Sequence, residues 1–314
     1  MDKKIISIVT PCFNEQDGIF DCYNAVKKLF ETSLLNYSYE HIFIDNCSKD
    51  RTVEILKKIA LTDKKVKIIV NSRNFGLANS PYHAKLQASG DAIIPLVADL
   101  QTPVEIIPEM IQKWEDGAKM VLGIRKSSKT SLINRLYQKF FYKVMVALSG
   151  IEQYPEFIGF GVFDRKVMNV LRNLNEPTPY FRGLVSEIGF KKEFVYYDEP
   201  KRKYGKSRHS FFDLLNLAIL GVISCSTLPL RFVTILGITT ALSSFIAGIF
   251  YMLKKLIYWD SFELGIAPLL ISILFLFSVT LTVLGVIGEY IAVTLKKVSN
   301  RPLVIEDERV NFDE

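Results

Sequence analysis

The chain has little of what marks metal or thiol chemistry: four cysteines and three histidines in 314 residues. Cys12, Cys22, Cys47 and Cys225 form no CxxC pair and have no histidine partner nearby. Neither a zinc site nor a disulfide framework is expected, and the cysteines read as reduced thiols. His41, His83 and His209 are too dispersed for a metal site. Positive charge is not concentrated either. The net charge of +6 is scattered, with no dense basic stripe interleaved with aromatics, so nucleic acid is not expected as a partner. Lys3 and Lys4 precede too few apolar residues before Pro11 for a signal-peptide core, and the N-terminal half is expected to stay in the cytosol. With 49% hydrophobic and 23% charged residues, a disordered or fibrous chain is excluded.

The apolar residues are unevenly spread. Up to about Gly150, short β-branched runs alternate with segments of helical period, the pattern of βα units around a largely parallel sheet. Residues 5–10 (IISIVT), 41–45 (HIFID), 66–70 (VKIIV), 92–97 (AIIPLV) and 120–124 (MVLGI) are near-continuous apolar runs, as strands covered on both faces should be. Thr102, Pro103 and Glu105 predict a helix start with an N-cap, a first-turn proline and a capping-box acid. Between Leu214 and Ala292 charge nearly vanishes. Residues 232–253 and 264–288 carry no charge, and each exceeds the roughly 20 apolar residues needed to cross a hydrocarbon core. Two transmembrane helices are expected. Residues 214–230, broken by Gly221 and Pro229, read as helices lying at the membrane surface. Lys and Arg before the first span and after the second place both termini inside, with Lys254 and Lys255 in the connecting loop opposing that bias.

The chemistry is expected at three strand ends: Pro11-Cys12-Phe13-Asn14-Glu15 after the first, Asp45-Asn46-Cys47-Ser48 at the second, and Ala98-Asp99-Leu100-Gln101 after the fourth. In open α/β sheets ligands bind beyond the carboxyl ends of the strands. A carboxylate and an amide oxygen on one rigid turn can face a hard cation, Mg²⁺ or Mn²⁺, that bridges to substrate phosphates. One such aspartate alone would read as a turn former or helix cap. Three strand ends together favour the ligand crevice.

These segments carry a resemblance. PCFNE at Pro11, DNCSKDRT at Asp45, NSRNFG at Asn71, ADLQTPVE at Ala98, GIR at Gly123, RKYGKSR at Arg202 and GVIGEY at Gly285 occur in the order found in one group of enzymes. The chain resembles the membrane-anchored polyprenyl-phosphate glycosyltransferases of the glycosyltransferase 2 superfamily, which include dolichol-phosphate mannose synthases and bacterial undecaprenyl-phosphate sugar transferases. The resemblance implies an α/β fold: a GT-A-type nucleotide-sugar-binding domain with a mostly parallel sheet over residues 1–210. Interfacial amphipathic helices (211–230), a two-helix anchor (231–295) and a cytosolic tail (296–314) would follow. It implies an inverting transfer of one sugar from a nucleoside diphosphate sugar to undecaprenyl or dolichyl phosphate, at the cytosolic face of the inner membrane and with Mg²⁺ or Mn²⁺. Pro11, Phe13, Glu15, Ile44, Asp45 and Asn46 would surround the nucleotide base and ribose. Ala98, Asp99, Gln101 and Arg125 would serve the diphosphate, with Asp99 and Gln101 at the metal. Arg202, Lys206 and Arg208 would close over the diphosphate and the lipid phosphate, although the same residues read as a basic patch drawn to anionic lipid.

Three positions depart from the pattern. Asn46 stands where many relatives have a second acid. Val97 replaces the first acid of Asp-x-Asp-Leu-Gln. In Ile158-Gly159-Phe160-Gly161 no acid stands where relatives place a proposed catalytic base. The base is therefore unassigned, with Glu156 the nearest acid and Asp164 a helix cap; an anionic lipid phosphate can attack without much proton abstraction. Two other readings stand beside transfer to a lipid. A processive polysaccharide synthase is opposed by the absence of its Gln-x-x-Arg-Trp segment, neither Trp114 nor Trp259 following an arginine. A non-catalytic partner subunit that binds nucleotide sugar or assists lipid flipping draws support from Val97 and Gly159. The partners expected are a nucleoside diphosphate sugar, a polyprenyl phosphate and the membrane, with a homo-oligomer built through the spans left open.

Overall fold

A computed structural model describes residues 3–126, 154, 156–200, 228–257, 266–299 and 301–312. The expected apolar runs become strands β1 (Ile5–Cys12), β2 (Ser38–Asp45), β3 (Val66–Asn71), β4 (Ala92–Pro95) and β5 (Met120–Arg125). Helices α1 (Ile19–Thr32), α2 (Thr52–Thr62), α3 (Gly76–Gln87) and α4 (Ile107–Glu115) lie between them. β6 (Phe157–Asp164), α5 (Arg165–Leu174), α6 (Phe181–Glu187) and β7 (Lys192–Tyr197) complete this part of the chain. After it come two long helices, α7 (Leu228–Ile257) and α8 (Ile266–Val298), and a last strand, β8 (Glu306–Val310).

The eight strands form one mixed sheet in the order β7-β5-β6-β4-β1-β2-β3-β8. β1 runs parallel to β2 and β4, β2 to β3, and β5 to β7, while β6 and β8 pair antiparallel. Alternate side chains of each strand face opposite sides. Ile6, Ile8 and Ile94 pack with α1 and α4 through Val26, Phe30, Met110 and Trp114. Val9, Ile42, Ile44 and Ile69 pack on the other side with Tyr82 of α3 and Val167 and Leu171 of α5. A strand buried on both faces has no polar side, which is why these runs are uninterrupted in the sequence.

The helix after β4 begins later than Thr102 predicts. A 3₁₀ turn, Val104–Ile106, precedes α4, no side chain caps either element, and the Thr102 hydroxyl is buried without a hydrogen-bond partner. Asp164 does cap α5, its carboxylate accepting from the Lys166 amide at 2.9 Å.

The C-terminal residues, expected as a plain tail, return to the sheet. β8 pairs antiparallel with β3 at the sheet edge, Ile68 opposite Val310 and Val70 opposite Glu308. Lys57 meets Glu308 at 2.5 Å, and Asn311, in the left-handed region at φ 59°, donates to the carbonyls of Ala60 and Val66. Lys297, in the last turn of α8, bonds Glu176 at 3.1 Å. The end of α8 is thus fastened to the α/β domain twice, by an ion pair and by a strand.

Of the two transmembrane helices expected, only one meets the length and apolarity of a span among the described residues. That stretch is Phe275–Val298, and Phe232–Ile246 in α7 is a shorter apolar stretch. The helix α8 continues past the predicted end at Gly288, through Glu289 and on to Val298. The interfacial stretch at residues 211–227 lies outside the described residues.

Candidate active site

Three loops leave the carboxyl ends of β1, β2 and β4 side by side, because β1 lies between the other two. Each contains a non-glycine residue in the left-handed region: Asn14 (φ 54°), Cys47 (φ 66°) and Leu100 (φ 55°). Asparagine tolerates that conformation; for cysteine and leucine it costs about 1–2 kcal/mol each. Such strain persists only where neighbours fix the backbone. Here they do.

The β1 and β2 loops are stitched by reciprocal hydrogen bonds. The Asn14 amide donates to Ser48 Oγ at 2.7 Å and the Lys49 amide to Asn14 Oδ1 at 2.7 Å. The Glu15 amide donates to Thr52 Oγ1, the Gln16 amide to Asp50 and the Arg51 amide to Gln16 Oε1. Asp45 accepts from the Ser48 amide at 2.8 Å and from its hydroxyl at 2.5 Å. Ser48, Asp50 and Thr52 belong to the segment expected at the second strand end; Gln16 was not anticipated in this part. The signal of the first three is the run of Asp, Ser and Thr that forms Asx and ST turns.

Carboxylates gather at this end. Burial pushes the Asp45 carboxyl above its usual value, the Ser48 bonds oppose that, and Asp50 nearby adds to it. At Asp50 burial acts in the same sense, but the bonds from Thr52 and Gln16 prevail and hold it below. The Cys22 thiol beneath is pushed up to about 12, by burial above all, with Asp99 and Glu15 contributing; Thr10 works the other way. Asp99 and Glu15, on the loops after β4 and β1, therefore act on the same buried group.

Asp99 is half-buried, and its Oδ1 accepts from the Gln101 amide at 3.1 Å across the strained Leu100. Pro11, at the end of β1, and Phe13 and Glu15, on the loop after it, are partly exposed. Ile44 and Ala98 are not on the crevice surface as expected: Ile44 is fully buried in the core beside Val9 and Tyr82, and Ala98 packs with Ile19 and Tyr23. Only the Ile44 carbonyl reaches the end of the sheet, where it accepts from the Cys12 thiol at 3.4 Å. Asn46 is 7% exposed and its amide bonds the β3–α3 loop.

Arg125 closes the other side of the strand ends. Its guanidinium donates twice to Glu156 Oε2, at 2.9 and 2.8 Å, and once to Glu199 at 2.8 Å. Burial works against the charge, yet the two carboxylates hold the arginine above its ordinary value. Glu156 is thus bound to a cation, and Glu199, on the other side of the guanidinium, was not anticipated. Gly159, where relatives carry an acid, has φ +99° and faces Phe181. An aspartate there would have to adopt a backbone conformation that L side chains rarely take. Arg202, Lys206 and Arg208 lie outside the described residues.

A divalent cation would have few protein ligands. Among the described residues no three His, Cys, Asp or Glu side chains gather to hold a metal. Asp99 supplies one hard oxygen donor group. That donor set fits an ion of the Mg²⁺ type, held by one or two carboxylates with its remaining positions on substrate phosphates and water.

A family model described as glycosyl transferase family 2 matches residues 7–172, which contain all three loops. The chain belongs to that family. It is a glycosyltransferase, and the expected recognition stands. A prophage bactoprenol glucosyl transferase homolog of Escherichia coli K12 is 35% identical over 301 residues, covering 96% of this chain and 97% of the relative. The bactoprenol glucosyl transferase of Shigella phage SfII is 37% identical over 302 residues, covering 96% of each. An uncharacterized glycosyltransferase of Bacillus subtilis is 34% identical over 300 residues, covering 95% of this chain and 92% of the relative. The family match ends within α5, whereas these relatives align through the long helices as well.

Proposed function

We propose that this family 2 glycosyltransferase moves one sugar from a nucleoside diphosphate sugar to a polyprenyl phosphate, with inversion, at the cytosolic face of the inner membrane. The observation that carries the reading is the fastening of α8 to the domain that holds the Asp99 turn. A water-soluble donor needs the crevice at the strand ends, and a lipid acceptor needs that crevice near a bilayer. Near full-length similarity to two bactoprenol glucosyl transferases supports the same acceptor class. The return of β8 to the sheet supports an anchor, α7 and α8, that leaves and re-enters on the side of the catalytic domain.

Within the site, Asp99 and Gln101 would hold the cation, the Gln101 backbone amide also fixing the Asp99 carboxylate. A bound Mg²⁺ or Mn²⁺ would neutralise the diphosphate as it leaves. Pro11, Phe13 and Glu15 would border the nucleotide above the buried Asp45, whose carboxylate holds the Ser48 turn, and Arg202, Lys206 and Arg208 would meet the phosphates of donor and lipid. The acceptor phosphate is already an anion, so placing it against the anomeric carbon and excluding water supply most of the rate.

The second reading, a non-catalytic nucleotide-sugar-binding or lipid-flipping partner, draws on the single carboxylate at Asp99 and the glycine at 159. A panel of UDP-, GDP- and dTDP-sugars offered to reconstituted protein with undecaprenyl or dolichyl phosphate, with and without chelator, separates the two. Radiolabel entering the organic phase from one donor, and stopping on chelation, is expected. Donor binding without transfer would favour the partner subunit.

A further inference from the structure

Asn46 sits at the end of β2, yet its side chain is turned wholly to the segment that joins β3 to α3. Its Oδ1 accepts from Asn71 Nδ2 at 3.2 Å and from the Phe75 amide at 2.9 Å. Its Nδ2 donates to Asn74 Oδ1 at 2.9 Å and to the Gly76 carbonyl at 3.3 Å. Two donors and two acceptor lone pairs exhaust a carboxamide. Asn74 Oδ1 also accepts from the Gly76 amide at 2.8 Å, so Asn74 cannot turn over without losing that bond. Asn71 Nδ2 donates onward to Ser80 in α3. The segment held this way carries Arg73 stacked 4.0 Å over the Phe75 ring, beside the stitched β2 loop.

We propose that Asn46 is a positioning residue for the donor site: its carboxamide fixes the 71–76 loop, and it acts on the nucleotide sugar through that loop, not by contact. The inference rests on the transferase reading above. A carboxylate at position 46 would keep the two accepted bonds but would set lone pairs against Asn74 Oδ1 and the Gly76 carbonyl. Asparagine is therefore the residue this loop conformation selects.

The test uses reconstituted full-length protein carrying Asn46→Ala, Asn46→Asp, Asn74→Ala and the Asn46→Ala/Asn74→Ala pair. Without substrate, amide exchange over residues 72–76 should quicken at least about tenfold in Asn46→Ala, the equivalent of one lost hydrogen bond or more, and in the same direction in Asn46→Asp. Donor KM should rise about tenfold with kcat within about twofold, and the double variant should be little worse than either single, as expected for residues that act as one unit. Unchanged exchange would overturn the proposal. So would KM penalties that multiply in the double variant, which would put Asn46 on the donor itself. If the unmodified protein transferred no sugar from any donor, the functional reading would fall, and the exchange measurement would still decide the role of Asn46 in the loop.

Discussion

Arg125 and Glu156 are joined by two hydrogen bonds of 2.9 and 2.8 Å, tying the end of β5 to the start of β6. Glu199 takes the opposite corner of the guanidinium, so the segment after β7 is tied to the same point. Both bonds converge on one carboxylate oxygen, Oε2, and charge-assisted hydrogen bonds are among the stronger polar contacts a protein makes. Glu156 itself is in the left-handed region at φ 63°, which the pair helps to hold. Its carboxylate is engaged by the arginine.

Substituting Glu156→Gln therefore tests position against chemistry. Arg125 keeps Glu199, so transfer is expected to fall about tenfold or less, whereas removal of a general base typically costs 10²–10⁴-fold. Single-turnover rates in reconstituted protein decide it, and a loss beyond about 10²-fold would return Glu156 to the role of base.

Asp99 should behave differently. The Asp99→Asn side chain can still accept from the Gln101 amide, so the turn survives while the charge goes. Transfer is expected to drop at least about 10²-fold, because a group that neutralises developing charge is worth a few kcal/mol. Higher Mg²⁺ or Mn²⁺ should recover part of the loss if Asp99 acts through the cation. Near-normal transfer by this variant would remove Asp99 from the mechanism.

Much of the central sheet was legible because burial on both faces leaves a plain signature. β1 to β5 are continuous apolar runs, and the strand ends that follow from them hold the expected loops. β8 was not legible: EDERV is mostly charged, and its strand conformation comes from pairing with the edge of β3 rather than from its own pattern. Ile44 is in the core because β2 is covered on both faces, so that side chains pointing either way from it are buried. Asn46 was expected on the base because amide chemistry does not reveal its partners. Only the fold brings Asn71, Asn74 and Phe75 to it.

The C-terminal strand makes a stability prediction. Ending the chain after Ile305 removes β8 and leaves the β3 edge unpaired, a state that also invites strand pairing between molecules. The melting temperature should fall by several degrees, 1 kcal/mol being worth about 2–4 °C in a domain of this size. Lys57→Ala breaks only the exposed pair with Glu308 and should shift it by about 1 °C or less. Equal melting temperatures for the truncated and full chains would show that β8 contributes nothing to the sheet.

His41 predicts the acid limb of the stability profile. It is fully buried on β2, its Nε2 lies 2.9 Å from Thr10 Oγ1, and its Nδ1 is buried without a hydrogen-bond partner. Burial pulls its pKa down to about 3, so the folded protein holds the ring neutral where the unfolded chain would charge it. The unfolded state then binds the extra proton. The stabilising contribution is complete above an ordinary histidine value of about 6.5 and is lost as pH falls toward 3, at up to about 1.4 kcal/mol per pH unit. His41→Gln removes the titration, so its melting temperature should decline less steeply than that of the unmodified protein between pH 6.5 and 4. Parallel curves over that range would mean that His41 gains its proton as readily in the fold as outside it.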